Sequence, residues 1–187
     1  MNDTLKAMHS RYSCRGFLDR MPSDSDLSLI ADAGLASPSA YNAQNWQLVV
    51  CKNKEIINKA QQYAYDYTAS LEDKSIFEYL KKAGGKIFYD APVVVFIARP
   101  EGEDKSQSIN SGIVLQSIAI SASSLGINSL MCGFTRMAFA DPVKAKELAS
   151  LLKFPEGYVC NVSILLGYEK QGGTPHQLDK AKVTVIE

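Results

Sequence analysis

Net charge, long apolar runs and targeting signals are all absent from this sequence of 187 residues. Its 20 basic and 20 acidic side chains give a formal net charge of zero, and the basic residues are scattered, which argues against a nucleic-acid partner. No apolar stretch reaches the roughly 20 residues that a membrane-spanning helix needs, and the opening MNDTLKAMHS lacks the apolar segment of a signal peptide. The sequence therefore predicts a cytoplasmic protein that binds neither nucleic acid nor a membrane.

Cysteine and histidine are few and widely spaced. The four cysteines are Cys14, Cys51, Cys132 and Cys160, and the two histidines are His9 and His176. Without a C-x-x-C pair, this spacing argues against a disulfide framework and against a zinc site, so we expect no bound metal. We interpret the cysteines as reduced, mostly buried thiols.

Common cofactor and hydrolase motifs are missing as well. The chain has no G-x-G-x-x-G, no G-x-x-x-x-G-K-[ST] and no H-E-x-x-H, so it signals neither the usual nucleotide sites nor a zinc hydrolase. The run AGGKIF contains Gly84, Gly85 and Lys86 without the spacing of a phosphate loop. We interpret this run as the end of a helix.

Helical and strand-like segments are mixed along the whole chain. The runs QLVVC (47–51), PVVVFIA (92–98), INSLMC (127–132) and YVCNVSILLG (158–167) predict strands, the first two covered on both faces. Ser23 and Asp26 have the spacing of a capping box, which predicts a helix start. Residues 106–126 are apolar almost all round, and this predicts a helix buried either centrally or between subunits. No linker or repeat divides the chain, so we expect one α+β domain over residues 1–187.

The C-terminal tail ends in VTVI (183–186), a short strand-like run after a polar, glycine-rich stretch. A lone strand of this length is not stable by itself, so we expect it to pair with a sheet edge, either in its own chain or in another subunit. Together with the apolar helix, the tail favours a homodimer.

The segment RYSCRGF (11–17) combines two arginines with a serine. In an extended chain Arg11, Ser13 and Arg15 share one side, and in a helix the two arginines lie one turn apart. Guanidinium groups match the oxygens of a phosphate, so the segment is typical of an anion cradle. The alternative is two solvated arginines that flank a core phenylalanine.

A second polar segment, ASPSAYNAQNW (36–46), directly precedes a predicted strand. A plain connector needs turn-forming residues, but not several side-chain amides and hydroxyls beside the only tryptophan, Trp46. We therefore expect this segment to contact a bound ligand.

Four ordered segments together resemble the nitroreductase family of FMN-dependent oxidoreductases. They are RYSCRGF, ASPSAYNAQNW, SGIVLQSIAISASSLGINSLMCGF and LLGYE, and the resemblance covers nearly the whole chain. It implies a nitroreductase-like three-layer sandwich, with a mainly antiparallel sheet flanked by helices. It also implies an intertwined homodimer that binds FMN at the subunit interface.

The resemblance implies a cofactor site as well. Its residues would be Arg11, Tyr12, Ser13, Arg15, Pro38, Ser39, Asn42, Gln44, Cys132, Gly133, Lys180 and Lys182. Arg11 and Ser13 would lie near the phosphate and ribityl chain. Arg15 would lie at the pyrimidine edge and stabilise the charge of reduced flavin, although no residue is assigned as a certain catalytic group. Residues 38–44 would be laid by one subunit against the flavin held mostly by the other.

The chain departs from the family pattern at two places. Gln44-Asn45-Trp46 stands where Gln-Pro-Trp is frequent, and the arginine that many members place near the C-terminus is missing. His176, Lys180 and Lys182 are the basic residues of the comparable stretch, and the sequence leaves open which of them replaces it.

The implied activity is hydride transfer from NAD(P)H through flavin N5 to a small electron-poor acceptor, in alternating half-reactions at one site. Nitroaromatics, quinones and enones are the acceptor classes. Two alternatives belong to other classes of protein. One is a flavin-binding carrier or sensor without turnover, and the other is a thiol enzyme that uses Cys132 and His176.

Overall fold

The protein is described by a computed structural model that covers residues 1–82, 84–102 and 106–187. These residues form helices α1 Asp3–Ser10, α2 Asp24–Leu35, α3 Lys54–Ser70, α4 Ser75–Lys82, α5 Gln107–Ser124 and α6 Pro142–Leu151. The strands are β1 Gln47–Cys51, β2 Val93–Pro100, β3 Asn128–Cys132 and β4 Tyr158–Gly167. Short 3₁₀ helices occupy Ala40–Asn42, Gly133–Phe139 and Lys180–Lys182. The predicted α+β class and all four predicted internal strands are confirmed.

The four strands form one antiparallel sheet in the order β1-β2-β4-β3. Its centre is the long pairing of β2 with β4, in which Val95 faces Ile164. The predicted mainly antiparallel sheet is confirmed, and β1 and β3 are its edges.

Side chains of β2 alternate between two apolar cores, one on each face of the sheet. Val93, Val95 and Ile97 pack with residues of α2 and α5. Val94 and Phe96 point the other way, into the core formed with α3, α4 and α6. Because side chains alternate along a strand, this single run supplies both cores and produces three layers.

The strand β1 is covered on both faces, as predicted, but less completely than β2. Leu48 and Val50 pack against the core on one face and Val49 packs against the core on the other. These three side chains are half-buried, whereas residues 93–98 of β2 are fully buried.

Two predicted helix ends are confirmed. The Ser23 hydroxyl oxygen accepts a hydrogen bond from the Asp26 N–H at 3.1 Å and donates one to the Asp26 carboxylate at 2.7 Å. After α4, the Gly85 N–H donates to the Leu80 carbonyl at 2.8 Å, and both Gly84 and Gly85 have a positive φ. Glycine adopts this left-handed conformation without steric cost, so the helix ends there.

Helix α5 packs one face on the sheet, with Val114, Ile118 and Ala122 fully buried. Helices α1 and α2 flank it. Its outer face carries Ile109, which is 66% exposed, so the helix is buried centrally on one side only. None of the described helices has the length and hydropathy needed to cross a lipid bilayer.

The tail forms no strand within its own chain. Val183 and Val185 are largely exposed, and Ile186 is 92% exposed. In the described parts of the chain, no residue pairs with the outer edge of β1. Pairing of the tail with an edge of its own sheet is therefore excluded among these residues, while pairing with another subunit stays a prediction.

Candidate functional site

The segment after α1 is extended and runs beside β3. Helix α1 ends at Ser10, and Arg11 turns to φ −62° and ψ 136°. Ser13 then pairs in parallel with Ser129 of β3, and the Cys14 N–H donates to the Ser129 carbonyl at 3.0 Å. Cys14 is buried in the core, as is Phe17 further on. The extended arrangement of the two predicted alternatives is therefore the one observed.

Arg11 lies between two openings in the surface. One is a cavity of about 260 Å³ that it lines with Ser10, Asn128 and Ser129. The other is a groove of about 240 Å³ that it shares with His176. The Arg11 Nε atom is buried and has no hydrogen-bond partner. A buried guanidinium nitrogen without an acceptor is rare in proteins, so this position fits an anionic ligand.

The three candidate basic residues of the tail differ in their placement. His176 lines the groove beside Arg11, together with Leu178. Lys180 and Lys182 are exposed, and Lys182 lies 4.0 Å from Asp179. In the single chain, only His176 among the three lies next to Arg11.

Tyr12 is held by the segment that follows β4. Its hydroxyl donates to the Glu169 carboxylate and accepts from the Asn128 side-chain amide at 3.1 Å. A Cβ atom on Gly173 would overlap the Tyr12 ring, so only glycine permits this close approach. In this structure Tyr12 therefore anchors the start of the tail.

A further cavity of about 230 Å³ lies at the end of β3, and Arg15 lines it. Its other lining residues are Tyr79, Tyr89, Leu130, Met131, Cys132, Gly133, Phe134 and Arg136. Gly133 has open space in the direction of a Cβ atom. Burial raises the pKa of the Tyr89 phenol, the neighbouring Tyr79 raises it further, and Arg15 lowers it. Tyrosine is neutral at physiological pH already, and the raised pKa makes the Tyr89 phenol a weaker acid still.

The Cys132 thiol belongs to the core. Cys132 is 4% exposed, and its thiol donates to the Ile87 carbonyl at 3.7 Å. Burial raises the pKa of this thiol, which disfavours a nucleophilic thiolate. His176 lines the groove beside Arg11 and does not line the cavity that Cys132 borders. The structure thus gives no support to the thiol-enzyme alternative.

The polar segment before β1 is a strained loop. Tyr41, Asn42 and Gln44 all have positive φ, at 54°, 54° and 44°. Such conformations cost energy in residues other than glycine and concentrate at functional sites. The Ser39 hydroxyl accepts from the Gln44 N–H at 2.9 Å, and the Gln44 side chain donates to the Asn42 side-chain carbonyl at 2.8 Å. The loop therefore holds its own shape through these side chains.

Asn110 of α5 supports this loop, and the sequence analysis missed it. It is 3% exposed, and its side-chain carbonyl accepts from the Ala40 N–H at 3.1 Å. Its Nδ2 atom has no partner, and in the described residues Arg11 Nε is the only other buried side-chain atom in that state. Helix α5 also contains Gln107, Gln116 and several serines, so the sequence had no signal that singles out Asn110.

Replacing Asn110 by Ala should free the loop without unfolding the protein. The Ala40 N–H loses its acceptor, and one hydrogen bond stabilises by roughly 0.5–1.5 kcal/mol. We expect hydrogen exchange at the Ala40 amide to become about three- to tenfold faster. The control is Ser124→Ala, which removes an exposed hydroxyl at the far end of α5. Unchanged exchange at Ala40 in Asn110→Ala would show that this hydrogen bond does not hold the loop.

The two polar segments lie at opposite ends of α5. The loop contacts its first turns through Asn110, whereas the Ser10 hydroxyl lies 3.3 Å from that of Ser123 in the last turn. From Asn110 to Ser123 the helix rises about 20 Å. Within one chain, Arg11 and the loop are therefore far apart, at opposite ends of α5.

The fold is that of an α+β protein with two cavities beside β3, one lined by Arg11 and the other by Arg15. The sequence profile of the nitroreductase family matches residues 8–168. The chain belongs to the nitroreductase family.

Comparison with individual relatives supports this family assignment. A crystal structure of a nitroreductase with bound FMN from Desulfitobacterium hafniense is 41% identical, with a TM-score of 0.96 and full coverage of both chains. A nitroreductase with bound FMN from Bacteroides fragilis has a TM-score of 0.88 at 20% identity, also over both whole chains, and shows the same fold. An Archaeoglobus fulgidus protein, provisionally named NADH dehydrogenase/NAD(P)H nitroreductase, is 27% identical over 91% of this chain and 87% of its own length.

Proposed function

We propose that residues 1–187 form one FMN-binding domain of a homodimeric oxidoreductase, which transfers hydride from NAD(P)H to an electron-poor small molecule. The observation that carries this proposal is the extended segment beside β3, which presents Arg11 to one cavity and Arg15 to another. The 41% identical Desulfitobacterium hafniense nitroreductase with bound FMN supports the choice of cofactor.

The residues present fit FMN. A phosphate needs donors, and Arg11, whose Nε atom has no partner, lines a cavity together with Ser10, Ser129 and Glu169. The Glu169 carboxylate accepts from the Tyr12 hydroxyl. Ser13 follows within the same extended segment, where a hydroxyl suits the ribityl chain. Arg15 lies at the other end of that segment, at the cavity with aromatic side chains. We assign the phosphate end to Arg11 and the ring end to Arg15.

Bound FMN supplies the hydride chemistry at its N5 atom. The chain contributes electrostatics and access. The positive charge of Arg15 would stabilise the negative charge that develops on reduction. Gly133, with open space above its Cα atom, lets a planar ring system approach the backbone closely. No side chain has to act as a nucleophile, so the inert Cys132 thiol is compatible with this function.

The loop of residues 38–44 completes the site from the partner subunit in this proposal. Pro38, Ser39, Asn42 and Gln44 lie at the opposite end of α5 from Arg11, so they reach the same ligand only from a second copy of the chain. The exposed Ile109 on the outer face of α5 supplies apolar surface for such a dimer. If the outer faces of α5 from two copies pair about a two-fold axis, the loop of each copy would lie near Arg11 and Arg15 of the other.

The direct test is to purify the protein, record its visible spectrum and identify the released cofactor by mass. We expect a yellow protein with FMN that NADH or NADPH bleaches under anaerobic conditions and that nitroaromatics, quinones or enones reoxidise. A yellow protein that neither nucleotide bleaches would favour the carrier or sensor alternative. A colourless protein that does not take up added FMN would overturn the proposal.

Arg11→Ala should chiefly weaken FMN binding. A charge-assisted hydrogen bond to phosphate accounts for about a tenfold to hundredfold change in the dissociation constant. Fluorescence titration of the apoprotein with FMN measures this change. Arg20→Ala is the matched control, because Arg20 stacks over the Tyr168 ring at 3.9 Å and lines neither cavity. Equal FMN affinity in Arg11→Ala and wild type would contradict the assignment.

A further inference from the structure

The cavity at the end of β3 contains a second guanidinium, that of Arg136. Arg136 lies in the 3₁₀ helix Gly133–Phe139, between the buried residues Thr135 and Ala138. The Thr135 and Ser163 hydroxyls share a hydrogen bond of 2.5 Å, which fixes this helix to β4. The backbone that carries Arg136 is therefore held firmly at the rim of the cavity.

The positive charge of Arg136 has no partner within the described part of the chain. Its side chain is exposed, and in residues 1–82, 84–102 and 106–187 no ion pair or hydrogen bond of this side chain is found. Arg15 is the other cation of the cavity, and no aspartate or glutamate lines it. The cavity therefore has two positive charges and no fixed negative one.

Aromatic side chains line the same cavity. The rings of Tyr79 and Phe134 have centroids 6.2 Å apart at an interplanar angle of 35°. Tyr89 adds a neutral phenol. Aromatic side chains at the edge of this cavity favour a planar ligand beside the flavin ring.

We propose that Arg136 determines acceptor specificity by binding the anionic substituent, a carboxylate or sulfonate, of a planar aromatic acceptor. This inference rests on the proposed oxidoreductase function. Arg15 serves the reduced cofactor there, which leaves Arg136 as the free cation for the acceptor. Its guanidinium matches a carboxylate bidentately, while Tyr79 and Phe134 contact the ring.

The test compares two acceptors of similar shape, 4-nitrobenzoate and 4-nitrobenzamide, which differ in charge. The flavin of the holoenzyme is reduced with dithionite, so that nicotinamide nucleotides are absent, and its reoxidation by each acceptor is followed. Because the acceptors differ in intrinsic reactivity, the quantity compared is the rate constant for 4-nitrobenzoate divided by that for 4-nitrobenzamide, in wild type and in Arg136→Gln. We expect this ratio to be about three- to tenfold lower in Arg136→Gln. The effect is modest because an exposed charge contact is weaker than a buried one.

Three controls sharpen the comparison. Arg136→Lys should keep part of the preference for the anion, and added salt should reduce that preference in wild type. Arg20→Gln, which removes an equal charge outside the cavity, should leave the ratio unchanged. Equal ratios in wild type and Arg136→Gln would overturn the inference.

A binding measurement separates this inference from the proposed function. Calorimetric titration of the purified protein with benzoate and with benzamide involves no turnover. Wild type should bind benzoate more tightly than Arg136→Gln does by about three- to tenfold, with benzamide unaffected. Absence of flavin or of any reoxidation would contradict the proposed function, while equal benzoate affinities would contradict the role of Arg136 alone.

Discussion

Arg15→Ala should reduce the rate of flavin reduction by NADH about tenfold to hundredfold while the protein stays folded. Loss of one charge-assisted contact to a developing negative charge costs about this much. Arg15 is exposed, so its truncation creates no cavity in either core. Anaerobic stopped-flow absorbance measures the reduction rate, and circular dichroism monitors the fold.

The comparison with Arg11→Ala makes this result specific. Arg11→Ala, saturated with FMN, should be reduced at nearly the wild-type rate, because its loss affects binding of the phosphate end. Arg15→Lys retains the positive charge and should recover part of the rate. If Arg15→Ala and wild type are reduced equally fast when saturated with FMN, Arg15 does not stabilise the reduced state.

Deletion of residues 174–187 should weaken the dimer and FMN retention together. The exposed VTVI run gains hydrogen bonds only from a sheet edge, and the outer edge of β1 is unpaired in the described chain. The cut lies after Gly173, so the contact of this glycine with Tyr12 is kept. We expect a monomer at micromolar concentration that loses FMN on gel filtration. Sedimentation velocity and flavin-release kinetics measure the two effects.

Point variants separate the strand from the charges of the tail. The double variant Lys180→Ala/Lys182→Ala keeps VTVI, and it should remain dimeric while releasing FMN faster if these lysines contact the phosphate. His176→Ala tests the residue that shares a groove with Arg11. A truncated protein that remains a dimer and keeps FMN as tightly as the full chain would refute the proposed role of the tail.

Local sequence patterns were sufficient to predict most of the fold. The continuous apolar run of β2 predicts burial on both faces, and Ser23 with Asp26 predicts the start of α2. The partial exposure of the β1 side chains could not be predicted, because it depends on the place of β1 at the edge of the sheet. The pairing of the tail could not be predicted for the same reason, because any strand with which it pairs is distant in the sequence or belongs to another chain.

The candidate site could be proposed from the sequence where its residues follow one another in the chain. Arg11, Ser13 and Arg15 belong to one extended segment, and the family resemblance identifies it. Asn110 and Arg136 lie in other elements, and only tertiary packing brings one beneath the loop and the other to the rim of the Arg15 cavity. A single sequence contains no signal for such placement, because nothing in the local pattern distinguishes these positions.

The separation of the two polar segments along α5 has a genetic consequence for the proposed dimer. A copy with a defective arginine segment still has an intact loop, and a copy with a defective loop still has intact arginines. When two such copies form a mixed dimer, one site receives both defects and the other receives none. Two alleles that are each inactive alone would therefore complement each other, with at most half the sites working.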